Sequence, residues 1–477
     1  MTLFIPNGLR RAGLAASAAL FLHACAPNQD TPTPVVGLDV SRYLAVGDGY
    51  TAGLSNGGLT RTSQEYSFVN LLARQFQNAS PGAGFVQPLF DGNEGSFRLA
   101  FNGYSPTGFL QAKRVPGTAV RRTVLLTSAC GTAPDTLRLL KRSSTAATLP
   151  QNLGVPGLML SQIDAVGLGN EASVGSRPVN PYFERLLPAG DDRTYFQVLS
   201  TAASSATFFS YFMGLDEIMP FVRSGGTCGA IPSSLPMKRA AKRILDVLTA
   251  NKRPGVIVKL PAITSLPLLS QGRGNEVEAR LQAYYKDQLP LYIETPFVPG
   301  ASQRITDRDY ILATALPRLG QPTPVQVGST TMMLPYGRDS RNPVRDADVL
   351  ENTTEMVYIT AAINDYNNFD PVPSNATTVF GLAGLARIYG LPLIDPSQNS
   401  RLFDAGFLFN NVTNAISVNG VVYTAEPVRG NFFSLDFYSL TPRGNGLLAN
   451  SFIAAINRAY RSNIPALDVN NLPSTTE

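Results

Sequence analysis

The hydrophobic positions of this chain follow two rhythms. Short, mostly apolar runs of strand length occupy residues 42–46, 208–213, 256–260 and 391–394, each bounded by glycine or proline. Between them the apolar residues recur at helical spacing. Phe68, Leu71, Leu72 and Phe76 line one face of a predicted helix over 66–76, and a second is predicted over 353–369. A third begins with Thr441 as N-cap and Pro442 in its first turn and carries Leu448, Phe452, Ile456 and Tyr460 on one side. Residues 416–423 surround Asn419-Gly420, a hairpin signal. Apolar strands separated by helices predict an α/β fold with a mostly parallel sheet. Residues 271–348 are proline-rich and irregular and read as an insertion over the sheet edge. No internal repeat is visible.

The first residues change the picture from a plain globular domain to an exported one. A short leader ends in Arg10 and Arg11, and an uncharged apolar run covers 12–22. That run is too short to span a bilayer and has the proportions of a secretory signal. It ends in Leu22-His23-Ala24-Cys25, which resembles the lipobox of bacterial lipoproteins, with Cys25 as the lipidated residue. The expected organisation is a lipoprotein signal peptide over 1–24, a flexible tether over 25–40 and one large domain over 41–477. The implied location is the cell envelope of a Gram-negative bacterium, most simply the outer membrane, with the face left open.

Composition narrows the chemistry. The chain is 44% hydrophobic and 15% charged with a formal net charge of +5, enough apolar matter for a large core. It has no basic run, so nucleic acid is not an expected partner. Its cysteines are Cys25, Cys130 and Cys228; the last two either pair or remain buried thiols. No Cys/His metal pattern is present and no cofactor is implied. The single histidine, His23, lies within the predicted signal peptide.

Four short blocks carry a resemblance. Residues 43–53, Tyr-Leu-Ala-Val-Gly-Asp-Gly-Tyr-Thr-Ala-Gly, resemble the strand and Gly-Asp-Ser turn that open the SGNH, or GDSL, hydrolases. Asn152-Leu153-Gly154-Val155-Pro156-Gly157 resembles the second block of that family, and 208–217 the third, a strand ending in Gly-x-Asn-Asp. Residues 432–444 resemble the last, Asp-x-x-His before a Pro-Gly helix start. The order matches the long lipoprotein branch of the family over most of 41–460. The resemblance implies an SGNH-hydrolase-like, flavodoxin-like three-layer fold with loop-rich insertions, and an ester hydrolase ancestry.

It also implies that the hydrolytic machinery is gone. Gly49 stands at the position of the serine nucleophile, Asp216 at that of the oxyanion-hole asparagine and Ser439 at that of the histidine base. Gly157 keeps the backbone donor and Asp436 keeps the acid, with no histidine to orient. Each residue also has a plainer reading. Gly49 reads as a turn glycine after a strand, Asp436 as a loop cap or the partner of Arg443, and Asp216 with Glu217 as solvated loop acids. Asn364-Asp365 imitates the third block but lies inside a predicted helix. Ser55, Ser434 and Ser439 are possible substitute nucleophiles without a visible base, and Tyr50 and Tyr438 flank the vacated positions as possible aromatic filling. The expected function is non-catalytic: a membrane-anchored protein that binds a ligand or assists an outer-membrane protein partner. Asp216, exposed in the old cleft, would favour a neutral glycan or an amine-bearing envelope component. An active ester hydrolase using other residues and a purely structural envelope lipoprotein are the alternatives.

Overall fold

The computed structural model describes residues 37–475, apart from 93, 128–129, 131–133, 296–297, 299–300, 370–377, 397–408 and 410–414. The predicted signal peptide, Cys25 and most of the tether lie outside the described residues.

The apolar runs form one five-stranded sheet: β1 Tyr43–Gly47, β2 Asn152–Gly154, β3 Phe208–Phe212, β4 Gly255–Val258 and β5 Leu393–Ile394. Its order is β5-β4-β3-β1-β2, and every pairing is parallel. Strand β3 is central, and Tyr43 to Gly47 of β1 lie in register against Phe208 to Phe212. All residues of β1 to β4 are buried, as a parallel sheet covered on both faces requires.

Side chains alternate between those faces. On one, Phe208 and Phe212 of β3 meet Phe76 and Phe68 of α1, Phe68–Ala79, with ring centroids 5.5 and 6.3 Å apart. Helix α1 is capped by Ser67, whose hydroxyl accepts the Asn70 N–H. On the other face pack α2 Tyr195–Ala203, α4 Ser234–Leu248, α5 Glu355–Asn367 and α6 Leu382–Tyr389; α3, Leu215–Arg223, leaves the end of β3. Tyr211 of β3 and Tyr366 of α5 share a hydroxyl hydrogen bond of 2.9 Å. The last helix, α7 Pro442–Tyr460, lies beside α1, where Phe452 stacks on Phe68 at 4.9 Å. Thr441 caps it by accepting the Gly444 N–H, as its sequence signature predicts. The hairpin at Asn419-Gly420 forms with both turn residues at positive φ.

Other features depart from the sequence pattern. Two antiparallel hairpins, Phe97–Tyr104 with Leu110–Pro116 and Val120–Leu126 with Asp135–Leu140, stand outside the sheet. Their residues are largely exposed on both faces, so the apolar alternation that marks a half-buried strand is missing. Residues 271–348 are more ordered than their proline content suggests. They contain a helix, Gly274–Tyr285, and a ribbon, Pro322–Val327 with Thr330–Pro335, whose edge positions tolerate proline. The segment docks on the first hairpin: Arg280 donates to the Thr107 and Gly108 carbonyls. Cys130 and Cys228 are joined in a disulfide with Cα atoms 5.7 Å apart, so the reading of two separate buried thiols does not hold.

Candidate functional site

The order in which strands are added reverses at β1, with β2 on one side and β3 on the other. Ligand sites of open parallel sheets lie at the carboxyl ends of strands at such a reversal. Here the chain leaves β1 through Asp48 and Gly49, and leaves β3 through Gly214, Leu215 and Asp216. Gly214 has φ 129°, open only to glycine, and this turns the chain sharply into α3. The Asp48 carboxylate reaches across and caps that turn: its Oδ2 accepts N–H groups from Gly214, Leu215 and Asp216 at 3.0, 3.1 and 3.4 Å.

Asp216 points back toward β1. Its Oδ2 accepts the Gly49 N–H at 3.1 Å and the Gly157 N–H at 2.7 Å. The Tyr438 hydroxyl lies 3.4 Å from its Oδ1, and the Tyr50 hydroxyl donates to the Tyr438 carbonyl at 2.7 Å. Tyr50 and Tyr438 are both buried, with ring centroids 4.9 Å apart, and Tyr50 stacks on Phe212. The Arg223 guanidinium lies over the Tyr438 ring. Two converging backbone N–H groups are the donor geometry of an oxyanion hole. In this molecule the chain's own carboxylate oxygen occupies the point on which they converge.

Asp48 and Asp216 are 1% and 7% exposed. Burial, then the neighbouring Asp216 charge, pushes Asp48 up to about 8. Burial also raises Asp216, against the opposing pull of the Gly157 and Gly49 donors and the Arg223 charge. The two acids therefore retain a proton to higher pH than exposed carboxyls do. Tyr50 and Tyr438 are pushed far above the usual tyrosine range by burial and remain proton donors.

Asp436 organises the adjacent loop. Its carboxylate accepts the Ser439 hydroxyl at 2.6 Å, the Ser434 hydroxyl at 2.9 Å, and N–H groups of Gly57, Tyr438 and Ser439 at 2.8 to 3.0 Å. Ser434 and Ser439 are buried and 2.8 Å apart through their hydroxyls, and Ser55 donates to the Leu440 carbonyl. A carboxylate is far too weak a base to ionise a serine, and no imidazole lies among the described residues. The cluster serves as a turn staple.

The structure brings Gly49, Gly157, Asp216, Asp436 and Ser439 to one end of the sheet and corrects several readings of them. Asp216 is not a solvated acid in an open cleft: it is buried and its oxygens are taken, so it offers no charge to a neutral or cationic ligand. Glu217 turns elsewhere and accepts the Ser161 N–H. Asp436 is a loop cap, not the partner of Arg443, which donates to Asn431, Asn470 and Leu472. Gly49 is not a turn requirement, because its φ lies outside the left-handed region. The nearest atoms to a Cβ built on it would be Asp216 Oδ2 and Leu54 Cδ2, both at 3.4 Å, and Leu54 Cβ at 3.7 Å, ordinary contact distances. Asp365 is bound to Lys238 and Ser234, away from the site. Sequence reasoning missed Asp48, although it stands beside Gly49 in the first block. It also missed Arg223, seven residues beyond Asp216 and so on the same side of α3.

Compared with known protein families, curated proteins and solved structures, the chain matches none. Among the described residues no helix is long and apolar enough to cross a membrane.

Proposed function

We propose that this protein is a lipid-anchored protein of the bacterial envelope with an SGNH-hydrolase-like fold, and that it acts by binding instead of hydrolysis. The observation that carries this reading is the seating of Asp216 Oδ2 on the Gly49 and Gly157 N–H groups. An acyl oxyanion has no vacant donor pair there, because the Asp216 oxygen already holds both N–H groups. The strand order supports the SGNH-like assignment: numbered along the chain it is 2-1-3-4-5, the flavodoxin-like order the resemblance implies. The absence of a side chain at Gly49 and of a base at Ser439 supports the loss of chemistry. Anchoring rests on Cys25 and the apolar run before it.

A purely structural role is the second reading, favoured by Tyr50, Tyr438 and Phe212 filling the space around the old centre. An active ester hydrolase would have to draw on Ser55, Ser434 or Ser439, which lack a base. The test is hydrolysis of p-nitrophenyl acetate and butyrate by the purified protein and by Gly49→Ser. Both should match a folded, unrelated control protein, because restoring the hydroxyl restores neither base nor oxyanion hole. A rate that scales with protein and follows the monodisperse peak through purification would overturn the reading.

A further inference from the structure

A second cavity, of about 400 Å³, lies beside the sealed centre. Its walls come from the first hairpin, the 271–348 segment, the 426–429 segment, which brings Glu426 as well as Arg429, and the loop that carries Asp436. Two guanidiniums line it, each lying over an aromatic ring that lines it too: Arg280 over Phe109 at 4.3 Å and Arg429 over Tyr104 at 5.1 Å. Stacking holds a guanidinium in place while leaving its edges able to grip an anion.

Arg280 is held further. Its Nε donates to the Thr107 carbonyl at 3.1 Å and its Nη2 to the Gly108 carbonyl. A Cβ on Gly108 would come within 2.6 Å of that Nη2, so glycine is what admits the close approach. Among the described residues Nη1 has no partner. Arg429 faces Glu426 at 3.8 Å, but both are well exposed, and water weakens such a pair. A ligand anion able to engage a guanidinium through two oxygens competes with it. Gln271 adds an amide, donor and acceptor together, the pattern that suits hydroxyl groups.

The last wall residue is Phe437, with φ 61°, a conformation a bulky side chain adopts at a cost. The surroundings hold it there: its N–H donates to the Ser434 carbonyl and its carbonyl accepts the Leu268 N–H. Backbone strain held in this way is found at functional sites. Here it sets an aromatic ring in the cavity wall, one residue from the old catalytic acid.

We infer that this cavity is a ligand site for an anionic saccharide, a sugar carrying a carboxylate or phosphate. Arg280 and Arg429 take the anion, the exposed Tyr104 ring covers the apolar face of the sugar above the largely buried Phe437, and Gln271 meets its hydroxyls. A pocket of this size suits a mono- or disaccharide. The inference gives a ligand class to the binding reading above, and it does not depend on the absence of hydrolysis.

Calorimetry of the purified protein with glucuronate, glucose 6-phosphate, glucose, glucosamine and inorganic phosphate tests it. Glucuronate or glucose 6-phosphate should bind at least tenfold more tightly than glucose or glucosamine, and the pair separates a carboxylate site from a phosphate site. Arg280→Gln and Arg429→Gln should each weaken that binding about tenfold. Asp216→Asn should leave it unchanged. No heat with either anionic sugar, equal binding of glucose, or indifference to both arginine substitutions would overturn the inference. So would inorganic phosphate binding as tightly as glucose 6-phosphate. None of these results would alter the esterase assay, whose failure would be separate.

Discussion

Asp48 and Asp216 share one buried space, and this gives the molecule a pH dependence that belongs to the pair. In the unfolded chain an aspartate loses its proton at about pH 3.9. In the fold Asp48 keeps it to about 8. Between these values the folded state binds more protons than the unfolded state, so stability falls as pH rises through the window and levels off above it. An asparagine in place of Asp48 would mimic the neutral carboxyl, and its amide oxygen could still accept the α3 N–H groups. Asp48→Asn should therefore gain thermal stability over the parent as pH rises from about 5 to about 8, by a few degrees or more, since about 1 kcal/mol moves the melting point of a domain of roughly 150–250 residues by roughly 2–4 °C. A pH-independent difference between the two proteins, measured by scanning calorimetry, would show that Asp48 is not the group concerned. The positions of these acids were legible in the sequence, but their state was not. Asp216 was placed at the oxyanion-hole position by motif alone. Its burial follows from Gly214 and the Gly49 and Gly157 donors, which meet only when three strands are assembled. Tyr50 and Tyr438, by contrast, pack against each other beside Asp216, next to Gly49 and Ser439 as in the sequence.

At the scale of elements, the sequence exposed what packs and concealed what projects. Strands β1, β3 and β4 and helices α1, α5 and α7 announce themselves because burial demands apolar residues at strand or helix spacing. The 97–116 and 120–140 hairpins bury little and carry Arg98, Lys113, Arg114, Arg121, Arg122 and Arg138 in place of an apolar face. They are held from outside: Arg121 pairs with Glu184 and Glu171, and Arg122 with Glu171. The Cys130–Cys228 disulfide then ties the second hairpin to the loop beyond α3 across a separation of 98 residues. In the chain-entropy model closing a loop of that length stabilises a fold by roughly 4–5 kcal/mol, and disulfides typically deliver about 2–4 kcal/mol. Cys228→Ser should lose stability of that order in denaturant titration, and Cys130 and Cys228 of the parent should resist alkylation until a reductant is added. Alkylation of both without reductant would contradict the bond.

For the whole molecule, the parts divide by job. The doubly covered sheet is the frame, and at its carboxyl end the Gly49 and Gly157 N–H groups are closed off by the Asp216 side chain and two tyrosines. The first hairpin, the 271–348 segment, the 426–429 segment and the 434–440 loop build a cavity beside this end that carries two arginines and Glu426. A reading of the blocks alone placed the ligand over Asp216 and expected it to be neutral or cationic. The assembled chain spends that charge internally and offers arginines next door. The loss of catalysis is the central claim, and active-site labelling tests it most directly. The purified protein is incubated with a fluorophosphonate, which phosphonylates a serine only where a base and an oxyanion hole activate it, and its intact mass is then measured. The account predicts no adduct, even at long exposure. A stoichiometric adduct mapped to Ser55, Ser434 or Ser439 would contradict it.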